Sequence, residues 1–266
     1  MKTVSVQEAN AADELINTQQ LLDDLLKENA NQQQTISFKL KLAETWHNLG
    51  ILQRQFRRWE ETEYALRTAY ELFQELGHKH VESQAFVSFN LALLKSERLQ
   101  WEEAEDFFRF SQAVFQNLGA NDTFSPLADD LAATWLHWGI LKRRQQKWQV
   151  AEKLFKNAER LYLRLGASET LSPYADELAE TWMNIAIVWH AQHKTDQAES
   201  LLQQAEKLIS LWFCTISILN AIKTGINHVK LNDLFSNIRV SYQWILEVQQ
   251  FFLYVVAIKS LSGEMV

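Results

Sequence analysis

The chain is 266 residues long, with only 7 Gly and 2 Pro. Punctuation this sparse excludes an all-β sandwich or barrel, which needs a turn about every 8–12 residues, and it excludes Gly-rich phosphate loops. Hydrophobic residues at 47% and charged residues at 22% supply a sizeable core, so the bulk is not disordered; a single Cys, Cys214, rules out an internal disulfide framework and a Cys-based zinc site, and a net charge of −7 leaves no global footprint for nucleic acid.

The opening residues lack the apolar run of a secretory leader. Residues 8–29 carry Leu15, Ile16, Leu21, Leu22, Leu25 and Leu26 among acids and glutamines, which predicts an amphipathic helix. The run 29–34 (Asn-Ala-Asn-Gln-Gln-Gln) reads as a hinge, so 1–34 is expected to be an N-terminal cap. From residue 35 to 210 a helix A, tight turn, helix B unit recurs, at about 35–77, 81–119, 126–166 and 173–210.

The register comes from matched residues. Gly119 to Trp135 aligns with Gly166 to Trp182, 47 residues on, and both prolines, Pro126 and Pro173, fall at equivalent places after a Ser. Ser as N-cap followed by Pro at the first helical position is a helix start: the hydroxyl accepts an orphan amide, and proline has none to lose. In helix A, Ala43, Trp46, Leu49 and Gly50 recur as Ala132, Trp135, Trp138 and Gly139, and again as Ala179, Trp182, Ile185 and Ala186. That spacing marks one face, with a small residue where the partner helix comes close. In helix B, Trp59, Thr62, Leu66, Ala69 and Phe73 recur as Trp101, Ala104, Phe108, Ser111 and Phe115, then as Trp148, Ala151, Phe155, Ala158 and Tyr162. Large and small side chains alternate, so neighbouring helices interlock. Gly77, Gly119 and Gly166 are expected to stop helix B.

Beyond 211 the register ends. Phe213 stands where the next closing Gly belongs, and 251–258 is one apolar run. Three readings of 211–266 fit: capping helices on the last unit, a docking surface for a partner or for self-association, or a tail translated out of the repeat's frame. The first predicts that Phe213–Val229 docks as a substitute helix and that 240–261 forms a helix with an exposed apolar face. The longest uncharged stretch there, 208–222, is shorter than the roughly 20 residues a membrane helix needs. No membrane partner is expected, and a cytoplasmic location is.

The order Trp, Leu-Gly, then aromatic, Ala, aromatic resembles the tetratricopeptide repeat, with Trp46-His-Asn-Leu49-Gly50, Trp59 and Ala69 as the best line. Gln53 replaces the usual Tyr of helix A, and the second unit has Ser88 for Trp and Ala92 for Gly. The long unit is similar to that of kinesin light chains and bacterial signalling proteins. The resemblance implies an all-α fold, an α-α superhelical solenoid of about four such repeats with helical caps at both ends.

No catalytic constellation is visible: no phosphate loop, no Ser elbow, no His-Glu-x-x-His. No enzyme, cofactor or metal is therefore expected. His190 and His193 share a helix face but lack further ligands. Basic clusters sit at each A–B turn (Arg54, Arg57 and Arg58; Lys95 and Arg98; Lys142, Arg143, Arg144 and Lys147; Lys194), and acids follow at Glu60, Glu61 and Glu63, at Glu102, Glu103, Glu105 and Asp106, and at Asp196 and Glu199. The helix macrodipole favours that order, and nucleic acid is not expected. The informative row precedes the Leu-Gly position: Asn48, Asn90, His137 and Asn184. Asn is a mediocre helix former, so its recurrence needs a reason. One is a bond to a neighbouring helix. The other follows from the resemblance: helix A lines the concave groove of tetratricopeptide proteins, and Asn there grips the backbone of a bound segment. The same resemblance places His47, Arg54, Phe89, Arg143, Arg144 and His190 on the groove side. The expected function is a non-enzymatic scaffold that binds a protein or peptide segment with apolar anchors and an acidic flank. The alternative is a regulatory or sensor module taking a small signalling peptide, as a fragment of a longer chain.

Overall fold

A computed structural model describes residues 6–29, 36–122, 125–168 and 172–224. All of the helices it contains are α-helices apart from one 3-10 turn, His78–His80, and no strand occurs among the described residues. In chain order they are α1 (Val6–Asn29), α2 (Ile36–Gln55), α3 (Trp59–Leu76), α4 (Val81–Glu97), α5 (Trp101–Asn117), α6 (Ala128–Arg144), α7 (Trp148–Arg164), α8 (Ala175–Ala191) and α9 (Thr195–Thr224). The chain divides into two compact units, 1–206 and 207–266. The second is described only as the helical backbone that continues α9 to Thr224. The expectations for Phe213–Val229 and for 240–261 lie outside the residues whose side chains are described.

In the first unit α2, α4 and α6 each pair with the helix that follows, and each pair stacks on the next. The predicted small positions are where the pairs close up. A Cβ on Gly50 would lie 2.7 Å from Leu66 Cγ, and one on Gly139 would lie 2.5 Å from Phe155 Cε1. Leu66, Phe108, Phe155 and the alanines at 43, 69, 104, 151 and 158 are fully buried. Helix α1 sets Leu15, Leu22 and Leu25 against Leu42, Leu49 and Leu52, while Ile16, Leu21 and Leu26 face outward.

The turns explain the register. Gly77, Gly119 and Gly166 all have positive φ, at 83°, 85° and 78°. Each A–B turn also carries a left-handed residue, and none of these is glycine: Arg57, Leu99, Gln146 and His193. Around them the same pair of bonds repeats, for example Leu99 N–H to Ser96 O at 3.3 Å and Gln100 N–H to Lys95 O at 2.9 Å. This is the Schellman closure, which satisfies the last carbonyls of helix A. The Ser-Pro starts differ from expectation. Ser125 Oγ accepts the Leu127 N–H at 3.3 Å and Ser172 Oγ accepts that of Tyr174 at 3.3 Å, but the α-helices begin two residues after the prolines, at Ala128 and Ala175. The Ser carbonyls bond Ala128 and Ala175 N–H, so Ser-Pro folds into a tight turn ahead of the helix, and its hydroxyl caps that turn.

The basic and acidic residues flanking each A–B turn do more than answer the macrodipole. Lys95, 2% exposed, places Nζ 2.7 Å from Glu63 and 3.1 Å from Glu103. Lys142, 4% exposed, bonds Glu105 in the same way. Trp189 Nε1 donates to Glu152 at 2.6 Å. Each rung runs from the end of one helix A to helix B of the preceding repeat, and Lys95 also reaches Glu103 on helix B of its own repeat. Burial alone would raise Glu63, but the bonds from Lys95 and Arg67 outweigh it and hold its carboxyl below the usual range. At Glu152 burial is likewise outweighed by the bonds from Trp189 and Gln192 and by Lys194. A second ladder joins Trp135 Nε1 to Gln112 and Trp182 Nε1 to Glu159, both at 2.9 Å.

Candidate interaction groove

Successive A helices bring their backbones close together, α2 to α4, α4 to α6 and α6 to α8, whereas the backbones of α3, α5 and α7 stay farther apart, α3 and α5 meeting through long side chains such as Tyr70 against Phe107 and Phe110. Helices whose backbones come close lie on the inside of a curve and helices that splay lie on its outside. Within the first unit the A helices therefore form the inner wall.

A strip of side chains crosses that wall. Asn90 Nδ2 donates to His47 Nε2 at 3.1 Å and to the Phe86 carbonyl at 3.0 Å. Both hydrogens of its amide are thus used within the protein, and its Oδ1 remains to accept. His47 accepts through Nε2 and must be neutral; burial holds its pKa down, to about 4. Next along the strip, Phe89 meets the ring of His137 edge to face, with centroids 5.6 Å apart. Burial, and then the charges of Arg54 and Arg144, also lower the pKa of His137 to about 4. His137 keeps part of its surface open to solvent. Dense surroundings combined with partial exposure mark a concave wall.

Arg54 is tied to Glu97 at 2.8 Å, yet its Nε is buried without a partner, as is Nε of Arg143. Burial and the neighbouring Arg144 lower the pKa of Arg143, with Glu180 acting the other way. The structure thus brings His47, Asn90, Phe89, His137, Arg54, Arg143 and Arg144 into one strip from α2 to α6, with Glu180 of α8 at its end. The remaining predicted residues fall elsewhere. Asn48 is exposed on α2, and His190 is half-buried in the last turn of α8. Asn184 is 5% exposed and donates to the Glu180 carbonyl of its own helix at 2.9 Å.

The opposite rim is acidic, and the sequence reading passed over it. The first turns of α6 and α8 present Asp129, Asp130, Asp176 and Glu177. Burial and then Asp129 and Glu82 push Asp130 up to about 6. Burial and Asp176 push Glu177 up to about 8. The signal that would have found this rim is the repeat itself, since Asp129-Asp130 and Asp176-Glu177 occupy matching positions. Among the described residues no group of three His, Cys, Asp or Glu is arranged to hold a metal ion, and no helix is long and apolar enough to cross a membrane.

Stacked helix pairs with small residues at each crossing define a tetratricopeptide-type α solenoid, and comparison with known proteins agrees. The tetratricopeptide repeat model matches residues 41–117, within the first two pairs. Among solved structures, BtubC (BKLC) from P. vanneervenii is 17% identical, with a TM-score of 0.64 over 77% of this chain and 76% of that one. The apo form of RapI is 14% identical, with a TM-score of 0.64 over 94% of this chain and 86% of that one. A Podosopora anserina protein of the kinesin light chain type, with nearly identical TPR-like repeats, is 13% identical, with a TM-score of 0.57 over 76% and 88%. No curated protein matches the sequence. At these identities the likeness is one of fold, and the sequence match to the tetratricopeptide repeat is confined to residues 41–117.

Proposed function

We propose that the chain is a non-enzymatic, cytoplasmic interaction scaffold whose A-helix wall holds a segment of a partner protein. The observation that carries this reading is the pair of buried, unpartnered guanidinium Nε groups of Arg54 and Arg143, on the same wall as the partly exposed aromatic Phe89. A buried N–H without an acceptor costs roughly 1–3 kcal/mol, a cost that an acceptor from outside the fold removes. Arg54, Arg143 and Arg144 suit an acidic flank, Phe89 suits an apolar anchor, and the Oδ1 of Asn90 suits a peptide backbone. Asn184, which is buried, acts by fixing α8.

Affinity capture with the full chain tests the reading. Partners held by the wild type are expected to be lost from a Phe89→Ala, Arg54→Ala, Arg143→Ala variant. They are expected to survive Arg109→Ala with Lys153→Ala, two exposed positions on B helices. The reverse pattern refutes the groove.

A further inference from the structure

We propose that the first turns of α6 and α8, with Tyr162 of α7 between them, form a subsite for one cationic side chain, Lys or Arg, of the bound partner segment. This rests on the groove reading above and adds a second, oppositely charged contact to it. Acids in a first turn answer the helix dipole, which accounts for Asp129, Asp130, Asp176 and Glu177 taken one at a time. It does not account for what lies among them. Tyr162 is 1% exposed, and its hydroxyl has no hydrogen-bond partner. Burial, and then the charges of Glu177, Glu180, Asp129 and Asp176, push that phenol well above its usual range. One carboxyl oxygen of Glu177, Oε2, is also buried and unpartnered.

The charge balance differs here from that at the rungs between repeats. Glu63, Glu103, Glu105 and Glu152 are each bridged by a Lys or Arg. Among the described residues, none of the ion pairs involves Asp129, Asp130, Asp176, Glu177 or Glu82. Arg143 acts on Glu180 alone. The carboxylates do not converge as metal ligands, so a small hard ion is a poor fit. A guanidinium or ammonium, with several N–H donors spread over a few ångströms, can bond the Tyr162 oxygen and Glu177 together.

The subsite also sets the polarity of the bound segment. Along α6 the acids of the first turn and the arginines of the last are about 21 Å apart. An extended chain covers that distance in roughly six residues. The partner segment therefore carries its basic residue about six positions from its acidic flank.

The test uses the full-length chain and N-acetyl-arginine N-methylamide as probe, followed by amide chemical shifts, with tetramethylammonium at matched ionic strength as control. Saturable shifts confined to the first turns of α6 and α8 are expected. Their affinity should fall at least about tenfold in Asp130→Asn with Glu177→Gln, and less in Tyr162→Phe. Tyr162→Phe removes an unsatisfied buried hydroxyl, so it should melt no lower than the wild type, which keeps the binding comparison clean. Shifts that do not saturate, that tetramethylammonium reproduces, or that the double variant leaves unchanged overturn the subsite. Saturation by spermidine without saturation by the arginine probe overturns the polypeptide source in favour of a free polyamine. Partners lost from the Phe89 variant but fully retained by Asp130→Asn with Glu177→Gln would leave the groove standing and remove this subsite.

Discussion

Four residues, Arg57, Leu99, Gln146 and His193, hold a left-handed backbone that side chains other than glycine's disfavour, and they hold it at the same place in every repeat. Leu99 is 63% exposed, so its side chain gives little packing in return. Leu99→Gly and Gln146→Gly are each expected to raise stability by about 0.5–1 kcal/mol, read from the urea midpoint. At the same scale, the two groove histidines set a pH dependence. His47 and His137 stay neutral in the folded chain down to about pH 4, whereas the unfolded chain takes up protons below about 6.5. Between these values the unfolded state binds more protons, so stability falls as pH drops through that window and is complete above it. Asp130 and Glu177 act in the opposite sense. Their raised values make the folded state bind more protons, so stability falls as pH rises from about 4.5 towards 8. Denaturation midpoints across pH should separate the two effects: His137→Phe flattens the acid limb, and Glu177→Gln raises stability on the alkaline side while leaving it unchanged near pH 4.

Between helices, the fit is set by small residues and by polar rungs. Gly139→Ala would gain helix propensity worth about 1 kcal/mol, but the new methyl lies 2.5 Å from a fully buried Phe155 ring. Overpacking of that kind costs roughly 1–3 kcal/mol, so the net change should be destabilising, by about 1 kcal/mol in a thermal or urea melt. Lys95→Ala strips a buried ammonium from Glu63 and leaves a cavity, and should cost about 3 kcal/mol. Lys95→Met should recover part of that, because it keeps the buried methylenes and because Glu63 retains Arg67 and Arg98. Much at this scale was legible in the sequence. The Trp and Leu-Gly positions located the helices, and Gly50 and Gly139 located the close crossings. The rungs were not legible, because alternating signs around a turn look the same whether the Lys reaches across to the preceding repeat or only answers its own helix. Asn90 was ambiguous for a similar reason: the same amide serves an outside backbone or a neighbouring histidine, and the sequence does not show that its Nδ2 lies 3.1 Å from His47 Nε2.

At the scale of the whole first unit, each pair leans only on its neighbours. Among the described residues helix α1 packs its backbone against α2 alone, whereas α4 is held by α2, α3, α5 and α6. Hydrogen exchange should therefore be fastest in α1 and slowest in α4 to α6, and Leu22→Ala should speed exchange in α1 and α2 while leaving α6 and α7 unchanged. If α6 responded as strongly as α2, nearest-neighbour stability would be the wrong description. The acidic rim also belongs to this scale. Its members come from the first turns of two helices, with Tyr162 from the last turn of a third, and stacking rather than chain proximity brings them together.

The rungs between repeats bear on how such a chain can grow. The donor is an ammonium at Lys95 and Lys142 and an indole at Trp189, yet the acceptor is a glutamate in the same place each time. A carboxylate takes a proton donor of either chemistry, so a copied or transposed repeat meets its new neighbour with a joint that already fits. The difference in repeat length falls in the B–A loops, outside these joints, because the A–B turn keeps one set of hydrogen bonds throughout. Duplication within such an array therefore requires no compensating change at the seam, and selection can act on the inner wall of a new repeat while its attachment is inherited intact.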